Sequence, residues 1–562
     1  MSEIREKIKV LLLTHRDSDN LGDQFIEACD YAILVTIMKN LGLTEDEYEL
    51  ISEKAAIVTP EYAKTRNPDL LKRARKLIKD SDLVILGGAP QFNYLYQYFS
   101  ERSVILIKLA QKYNKPIIFS SVGIEDYNPE HPKCKSLKRA LAYDCVKMVT
   151  TRDNLPDLKR LKTREEMIID QVADPAVFSG QVFKNFHSPK PEKKKIGLFL
   201  IRSGAFTDNN IGFTHDDITK MWLDIIDEIE KRGYDYEFVT SGHYSDEAFM
   251  DHLVRDCKVK RSKCVFNMYK PEQMIERISS YSGVISCRLH PGILSYSLKV
   301  PSVGIVWNPK VPGFYNAINY PERVIYNNEI SAKYIMDKLD NAMIEGVNHD
   351  KEFITSVYNR LFYAIRDEFY PESHAKVWDY EKIMNELPAY EGTSEQEAEE
   401  KLIRKTRRCY NNYNSREADL RKLKQKMAYD LEQTPIKIRY FSKGGDELQC
   451  LYNEKNGIEE TFKNGGHEYT APSMKFRNNG KDKIHKMQYI REGYVFKGWN
   501  IRIRSGKTWF WYMNNNMLCS QGDVVSEEFE AAKYLLSDEA VIPKLQLKYI
   551  DSIVLEACWE KK

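Results

Sequence analysis

GVISCRLHPGILSYSLKVPSVGIVWNPK, residues 283–310, holds two short apolar runs separated by a helix-length segment. The runs are nearly continuous, not alternating, which is the pattern of strands buried on both faces of a parallel sheet. Strand, helix and strand in this order predict a doubly wound α/β unit. In such sheets ligands lie beyond the carboxyl ends of the strands. Arg288, His290 and Lys310 stand at those ends. Arg288 brings a fork of donors suited to carboxylate or phosphate, His290 a group that titrates near neutrality, and Lys310 a point charge. Pro291 and Gly292 read as a helix opening, whose first N–H groups can also face an anion. The expected pocket takes a small anion of two or three charges and contains one proton-transfer group.

Working outward, the same alternation fills the first two-thirds of the chain. KVLLL (9–13), LVILGG (83–88), PIIFSSVG (116–123) and KMVTT (147–151) read as strands of a first sheet. NPDLLKRARKLIKDS (67–81) between them is apolar at helical spacing. FKNFHSPKPEKKK (183–195) is polar and reads as a linker. After it come KIGLFLIRSG (195–204), YEFVTSG (236–242) and the two strands of the opening stretch. THDDITKMWLDIIDEIEKRG (214–233) is a helix with Thr214 as cap, Asp216 and Asp217 at its positive end and Gly233 at its stop. HDKEFITSVYNRLFYAIRDEF (349–369) reads as a long helix closing the second half. The expected organisation is two Rossmann-like domains facing a cleft, residues 1–186 and 187–390. Residues 391–432, rich in Glu, Lys, Arg and Gln, form an exposed helical spacer or a partner-binding coiled coil. Residues 433–562 hold four of the seven tryptophans and form a small β-rich domain, with YIREGYVFKGWNIRIRSGKTWFWYM (489–513) as two strands joined at a tight Ser-Gly turn.

Composition bounds the function. The chain has 562 residues, 42% hydrophobic and 30% charged, with a formal net charge of +2, so a whole-molecule attraction to nucleic acid is not expected. No apolar run approaches the length of a spanning helix, and IKVLLL near the start is too short for a signal peptide. Ten cysteines are scattered without a C-x-x-C pair. Free thiols in a reducing cytoplasm are expected, with neither a disulfide framework nor a metal site.

More strand ends carry polar groups. DSDNLGDQFI (17–26) places Asn20, Gly22 and Asp23 in a turn leading to a helix. GGAPQFN (87–93) places Gly87 and Gly88 where backbone can approach a ligand closely, yet it is neither G-x-G-x-x-G nor a P-loop. Arg152 in TTRDN either binds an anion or pairs with Asp153 or Asp174. Arg202 in IRSG, and Ser241 and Gly242 in TSGHYSDE, end strands of the second half.

Taken together these features resemble the polysaccharide pyruvyl transferases. The resemblance rests on N-x-G-D (Asn20, Gly22, Asp23), G-G (Gly87, Gly88), V-G-I (122–124), T-R-D (151–153), D-P-A (174–176), R-L-H and the strand ending at Lys310, over roughly residues 8–330. It departs from the family at Ala89, where a third glycine is usual, and at Pro291, where a small residue is common. The resemblance implies a fold similar to the GT-B glycosyltransferases. It implies transfer of a pyruvyl group from phosphoenolpyruvate to a carrier-linked or polymeric sugar of a cell-surface glycan, forming a ketal. On that reading His290 is the general acid or base. Arg288, Arg202 and Lys310, with Arg152, Ser241 and Gly242, hold the donor's carboxylate and phosphate. Asn20, Gly22, Asp23, Gly87 and Gly88 orient the acceptor or support its loop. The chemistry calls for neither metal nor nucleotide. Two other readings stay open: a glycosyltransferase using a nucleotide-sugar donor on the same scaffold, and a non-catalytic glycan-binding protein. Residues 391–562 would serve homo-oligomerisation or docking to glycan-assembly machinery at the inner face of a membrane.

Overall fold

The computed structural model describes residues 7–95, 98–124, 127–433, 436–441, 443, 459–463, 466–470, 476–484, 491–514, 517–520, 533–547 and 549–562. The chain divides into two compact units, Met1–Cys409 and Tyr410–Lys562.

The first unit contains two parallel sheets. Strands β1 (Ile8–Thr14), β2 (Tyr48–Lys54), β3 (Leu83–Gly87), β4 (Ile117–Val122), β5 (Val146–Thr151) and β6 (Ile168–Gln171) lie in the order β2-β1-β3-β4-β5-β6. Strands β7 (Lys195–Phe199), β8 (Asp235–Val239), β9 (Gly283–Ser286), β10 (Ser302–Ile305) and β11 (Val324–Ile325) lie in the order β11-β10-β9-β7-β8. Every pairing in both sheets is parallel. The central strands β3, β4 and β9 are buried along their whole length, as their continuous apolar runs require. These are two doubly wound, Rossmann-like halves, the GT-B-like architecture expected from the sequence.

Helix α1 (Leu21–Asn40) explains why the halves hold together. Its side chains are apolar on most faces, and Phe25, Ile33, Leu34 and Ile37 are fully enclosed. Such a helix must be surrounded. One continuous core runs from Val10 and Phe25 through Phe178 and Phe183 to Phe199, Tyr281 and Ile293, so it is shared by both sheets. Burying each such large side chain contributes about 1.5–3 kcal/mol. The outer faces of the first and second sheets carry separate cores.

Two findings refine the layout. Helix α6 (Lys351–Phe369) follows the second sheet in the chain but does not stay with it. It crosses back to the first, where Ser356 Oγ accepts from the Ala173 N–H at 2.9 Å and Lys147 pairs with Glu368. The helix that begins in the supposed spacer is not exposed at its start. It runs unbroken over Glu395–Gln433, and Lys401 and Lys405 are 7% and 5% exposed. Those two positions lie against the first unit, for a reason given below.

The second unit is built on one eight-stranded sheet in which β12 (Lys437–Phe441), β13 (Glu459–Lys463), β14 (Gly466–Thr470), β15 (Tyr494–Ser505), β16 (Thr508–Tyr512), β17 (Leu518–Ser520), β18 (Leu535–Leu536) and β19 (Ser552–Lys561) take part. The hairpin β15–β16 turns at Gly506–Lys507, one residue later than the Ser-Gly step, because Ser505 still pairs with Thr508 and Gly506 adopts φ +61°. Trp499 fills the core, while Trp509 and Trp511 lie partly exposed with the Arg502 guanidinium over both rings. No helix among the described residues is long and apolar enough to cross a membrane.

Candidate active site

The carboxyl ends of the two sheets meet edge to edge. The loop after β1 touches the loop after β8: the Leu21 N–H donates to the Ser241 carbonyl at 2.8 Å. Gly242, with φ +96°, lies so close to Asp19 that a Cβ would stand 2.2 Å from its carbonyl oxygen. A Cβ on Gly22 would stand 2.1 Å from Nδ1 of His290. The absence of side chains at Gly22 and Gly242 is what lets the two halves close on each other.

His290 enters from helix α4 (Leu289–Ser297), which starts directly after β9 with Arg288 at its cap position. Its imidazole is 7% exposed and rests on the first turn of α1. Nε2 lies 3.8 Å from Oδ2 of Asp174 and forms no hydrogen bond within the protein. Burial outweighs the Asp174 carboxylate and lowers the histidine to about 4, so it is neutral at pH 7. Asp174 is the hub. It caps the turn at Ala176 N (2.9 Å) and grips Arg152, whose side chain is 6% exposed. The Arg152 Nε still has no partner in the protein. Asp23, in the first turn of α1, is raised to about 6 by burial, opposed by Ser18, Arg152 and Lys310. Lys310 opens helix α5 (Lys310–Ala317) after β10 and is lowered to about 8, again by burial, with Asp23 opposing. A cavity of about 20 Å³ lies between Arg152, Asp174, Leu289, Lys310, Phe314 and Phe353.

Thus Asn20, Gly22, Asp23, Arg152, His290 and Lys310 converge. Asn20 caps α1 through its side-chain oxygen to Gly22 N at 3.3 Å. Along the same edge, the side-chain polar atoms of Thr14, Asp30, Gln91, Ser120 and Ser241 are buried with no partner in the protein. Buried polar groups are otherwise almost always satisfied.

Other expected residues do something different. Arg288 does not offer its fork to an anion: Asp246, at 0% exposure, takes Nε at 2.9 Å and Nη2 at 2.8 and 2.6 Å. Asp246 also accepts from the Arg202 backbone N–H at 3.0 Å. The Arg202 side chain is half exposed and paired with Asp208. Gly87 and Gly88 admit helix α1, not a ligand: a Cβ on Gly87 would meet the Asp30 carboxylate at 2.1 Å, and one on Gly88 would meet Ile26 at 2.5 Å. Ala89 has φ +55°, so the position where the family resemblance leads one to expect glycine does call for it, at a strain of about 1 kcal/mol.

Arg152 takes one of the pairings its sequence position left open, with Asp174. Two features escape a reading of the sequence: Asp246 as anchor, and the contacts made by helix α7 (Glu395–Gln433). Arg408 of α7 pairs with Asp19 at 2.8 Å and donates to the Asp17 carbonyl at 2.8 Å. Lys405 pairs with Glu247 at 2.6 Å and reaches the Met268 carbonyl at 3.4 Å. The helix therefore straps the loop after β1 to the second half. Its Lys/Glu-rich composition signals a helix but not what its charges face.

The family model for polysaccharide pyruvyl transferase matches residues 20–309, more than half of the chain. No curated protein matches. Solved structures that resemble the chain include a putative UDP-N-acetylglucosamine 2-epimerase from Listeria monocytogenes (12% identity, 66% of this chain and 99% of that one, TM-score 0.45). They also include a UDP-GlcNAc 2-epimerase from Methanocaldococcus jannaschii (12%, 63% and 98%, TM-score 0.43) and a spinosyn rhamnosyltransferase complexed with thymidine diphosphate (8%, 64% and 96%, TM-score 0.30). The chain belongs to the polysaccharide pyruvyl transferase family, a family of transferases.

Proposed function

We propose that the protein transfers a pyruvyl group from phosphoenolpyruvate to two hydroxyls of one sugar residue, forming a ketal and releasing phosphate. The observation that carries this reading is the meeting of a buried Arg152 and a buried, neutral His290 on the Asp174 carboxylate, with the half-buried Lys310 lining the same cavity and facing Asp23. Arg152 and Lys310 supply positive charge for a donor that bears both carboxylate and phosphate. Two C–O bonds form at the enol carbon C2 and the C–O bond to phosphate breaks. Of the two protons leaving the hydroxyls, one ends on C3, which becomes a methyl group, and one on the departing phosphate. His290 Nε2 is the group placed to move a proton, and Asp23 is a second, poised close to the working pH. Lys310 stabilises charge gathering on the leaving phosphate. Arg288 and Arg202 act from behind, as positioning residues held by Asp246. The acceptor is a carrier-linked or polymeric glycan, and the reaction as balanced needs no metal or nucleotide.

The test is phosphate release from phosphoenolpyruvate by the full chain with galactosides, mannosides and N-acetylhexosamines. Acceptor-dependent release that disappears in His290→Ala supports the proposal. No release with any acceptor, together with no thermal shift by phosphoenolpyruvate, removes it.

A further inference from the structure

The strand order of the first sheet reverses between β1 and β3. Crevices at such switch points are where doubly wound sheets bind ligands. Helix α2 (Phe99–Lys112) begins just beyond this point and sends Arg102 back across it. Arg102 is 6% exposed. Its Nε donates to the Val58 carbonyl at 3.2 Å and its Nη1 to His15 Nε2 at 3.3 Å. Arg152, Arg288 and Arg323 each sit on a carboxylate, but among the described residues no acidic group lies within ion-pair distance of Arg102. His15, directly after β1, packs its ring edge-on to Phe99 at 4.8 Å and is held neutral, lowered to about 3 by burial and by Arg102. Gln91, in the loop after β3, is 0% exposed; its side chain approaches the His15 ring, and the rest of its amide's hydrogen-bonding capacity is unmet by the protein. A buried guanidinium that Asp17 influences only from beyond ion-pair distance and a buried amide with unmet hydrogen-bonding capacity both adjoin His15. Each lacks what an oxyanion supplies, since a buried charge is costly unless paired.

We propose that Arg102, His15 and Gln91 form a second oxyanion subsite, separate from the Arg152–His290–Lys310 cluster, that receives an anionic group of the acceptor. That group is the carboxylate of an acidic sugar or the phosphate that joins a sugar to its carrier. The assignment of this anion to the acceptor rests on the pyruvyl transfer reading; the subsite itself does not.

The experiment measures binding by calorimetry on the full chain without phosphoenolpyruvate. The probes are a neutral methyl glycoside, the matching uronic-acid glycoside and the matching sugar 1-phosphate. At least one anionic probe should bind about tenfold or more tighter than the neutral one, and which one does identifies the source of the charge. Arg102→Gln should abolish that preference while leaving the phosphoenolpyruvate thermal shift in place. Gln91→Glu, which sets a carboxylate into the subsite without removing the arginine, should abolish it as well and serves if Arg102→Gln fails to fold. Equal binding of all three probes by the unaltered chain overturns the inference. So does a preference that survives both substitutions. An anion preference in the unaltered chain, with no phosphate release for any acceptor and no thermal shift by phosphoenolpyruvate, supports the subsite and removes pyruvyl transfer.

Discussion

Two arginines at strand ends, Arg152 in the first sheet and Arg288 in the second, each meet a buried aspartate. The outcomes are opposite. Asp246 takes Nε and Nη2 of Arg288 through three hydrogen bonds and adds the Arg202 N–H, so the carboxylate is spent and the arginine is turned onto it. Asp174 grips Arg152 but leaves its Nε unbonded, and it faces a His290 Nε2 that has no partner. One region is a joint and the other retains capacity for a ligand. A cation at a strand end is therefore not enough to mark a site; unspent hydrogen-bonding capacity is the discriminating property.

The sharpest way to break this comparison is at its two ends. His290→Ala should lower kcat by about 10²- to 10⁴-fold, the usual worth of a proton-transfer group, with the melting temperature little changed. Steady-state phosphate release and calorimetry check both halves of that statement. Arg288→Ala should act on the other property, stability. It strands the Asp246 carboxylate in the interior at a cost of about 3–5 kcal/mol, read by denaturant unfolding. Adding Asp246→Asn should recover part of that loss. A variant Arg288→Ala that folds normally yet loses all turnover would merge the two regions into one site.

The pH profile tests the first region alone. Activity should rise as Asp23 ionises near 6 and fall as Lys310 loses its proton near 8, since the ionised acid and charged amine are the working forms. Asp23→Asn should remove the limb near 6 and leave the limb near 8. A profile unchanged by that substitution would take Asp23 out of the chemistry. The smallest effect is expected at Arg202→Ala. Its ion pair with Asp208 is half exposed, so stability should move by less than about 0.5 kcal/mol. A large loss of donor affinity in this variant would show that Arg202 swings into the cleft during turnover.

The fold was legible wherever burial forced a continuous apolar run. KVLLL, LVILGG and GVIS stand out because both of their faces are covered. YELISEK (β2) did not stand out, since its residues are mostly half exposed and its polar and apolar positions mix. A two-residue strand such as β11 carries no periodicity at all. The strand-end residues could be picked out because topology alone places them at the cleft. Asp174 could be named as one candidate partner of Arg152 because it lies in the same half, whereas Asp246 reaches Arg288 through a pairing set by the packed fold. Glycines showed the same division. Gly22 and Gly87 announce a close approach, but only packing reveals that a histidine approaches one and an aspartate the other.

The strap of helix α7 carries a kinetic consequence. A cavity of about 20 Å³ is on the scale of a single water, so on the pyruvyl transfer reading the seam widens to let a three-carbon phosphate reach Arg152 and Lys310. Arg408–Asp19 and Lys405–Glu247 resist any widening that moves the loop after β1 away from the second half, and the first of these pairs is open to solvent on its arginine side. Dissolved salt screens such pairs. Ionic strength then becomes a throttle on the enzyme: moderate salt should quicken opening and product escape, while high salt weakens the hold on an anionic donor. Turnover plotted against salt should therefore pass through a maximum, and Arg408→Ala should move that maximum toward zero salt.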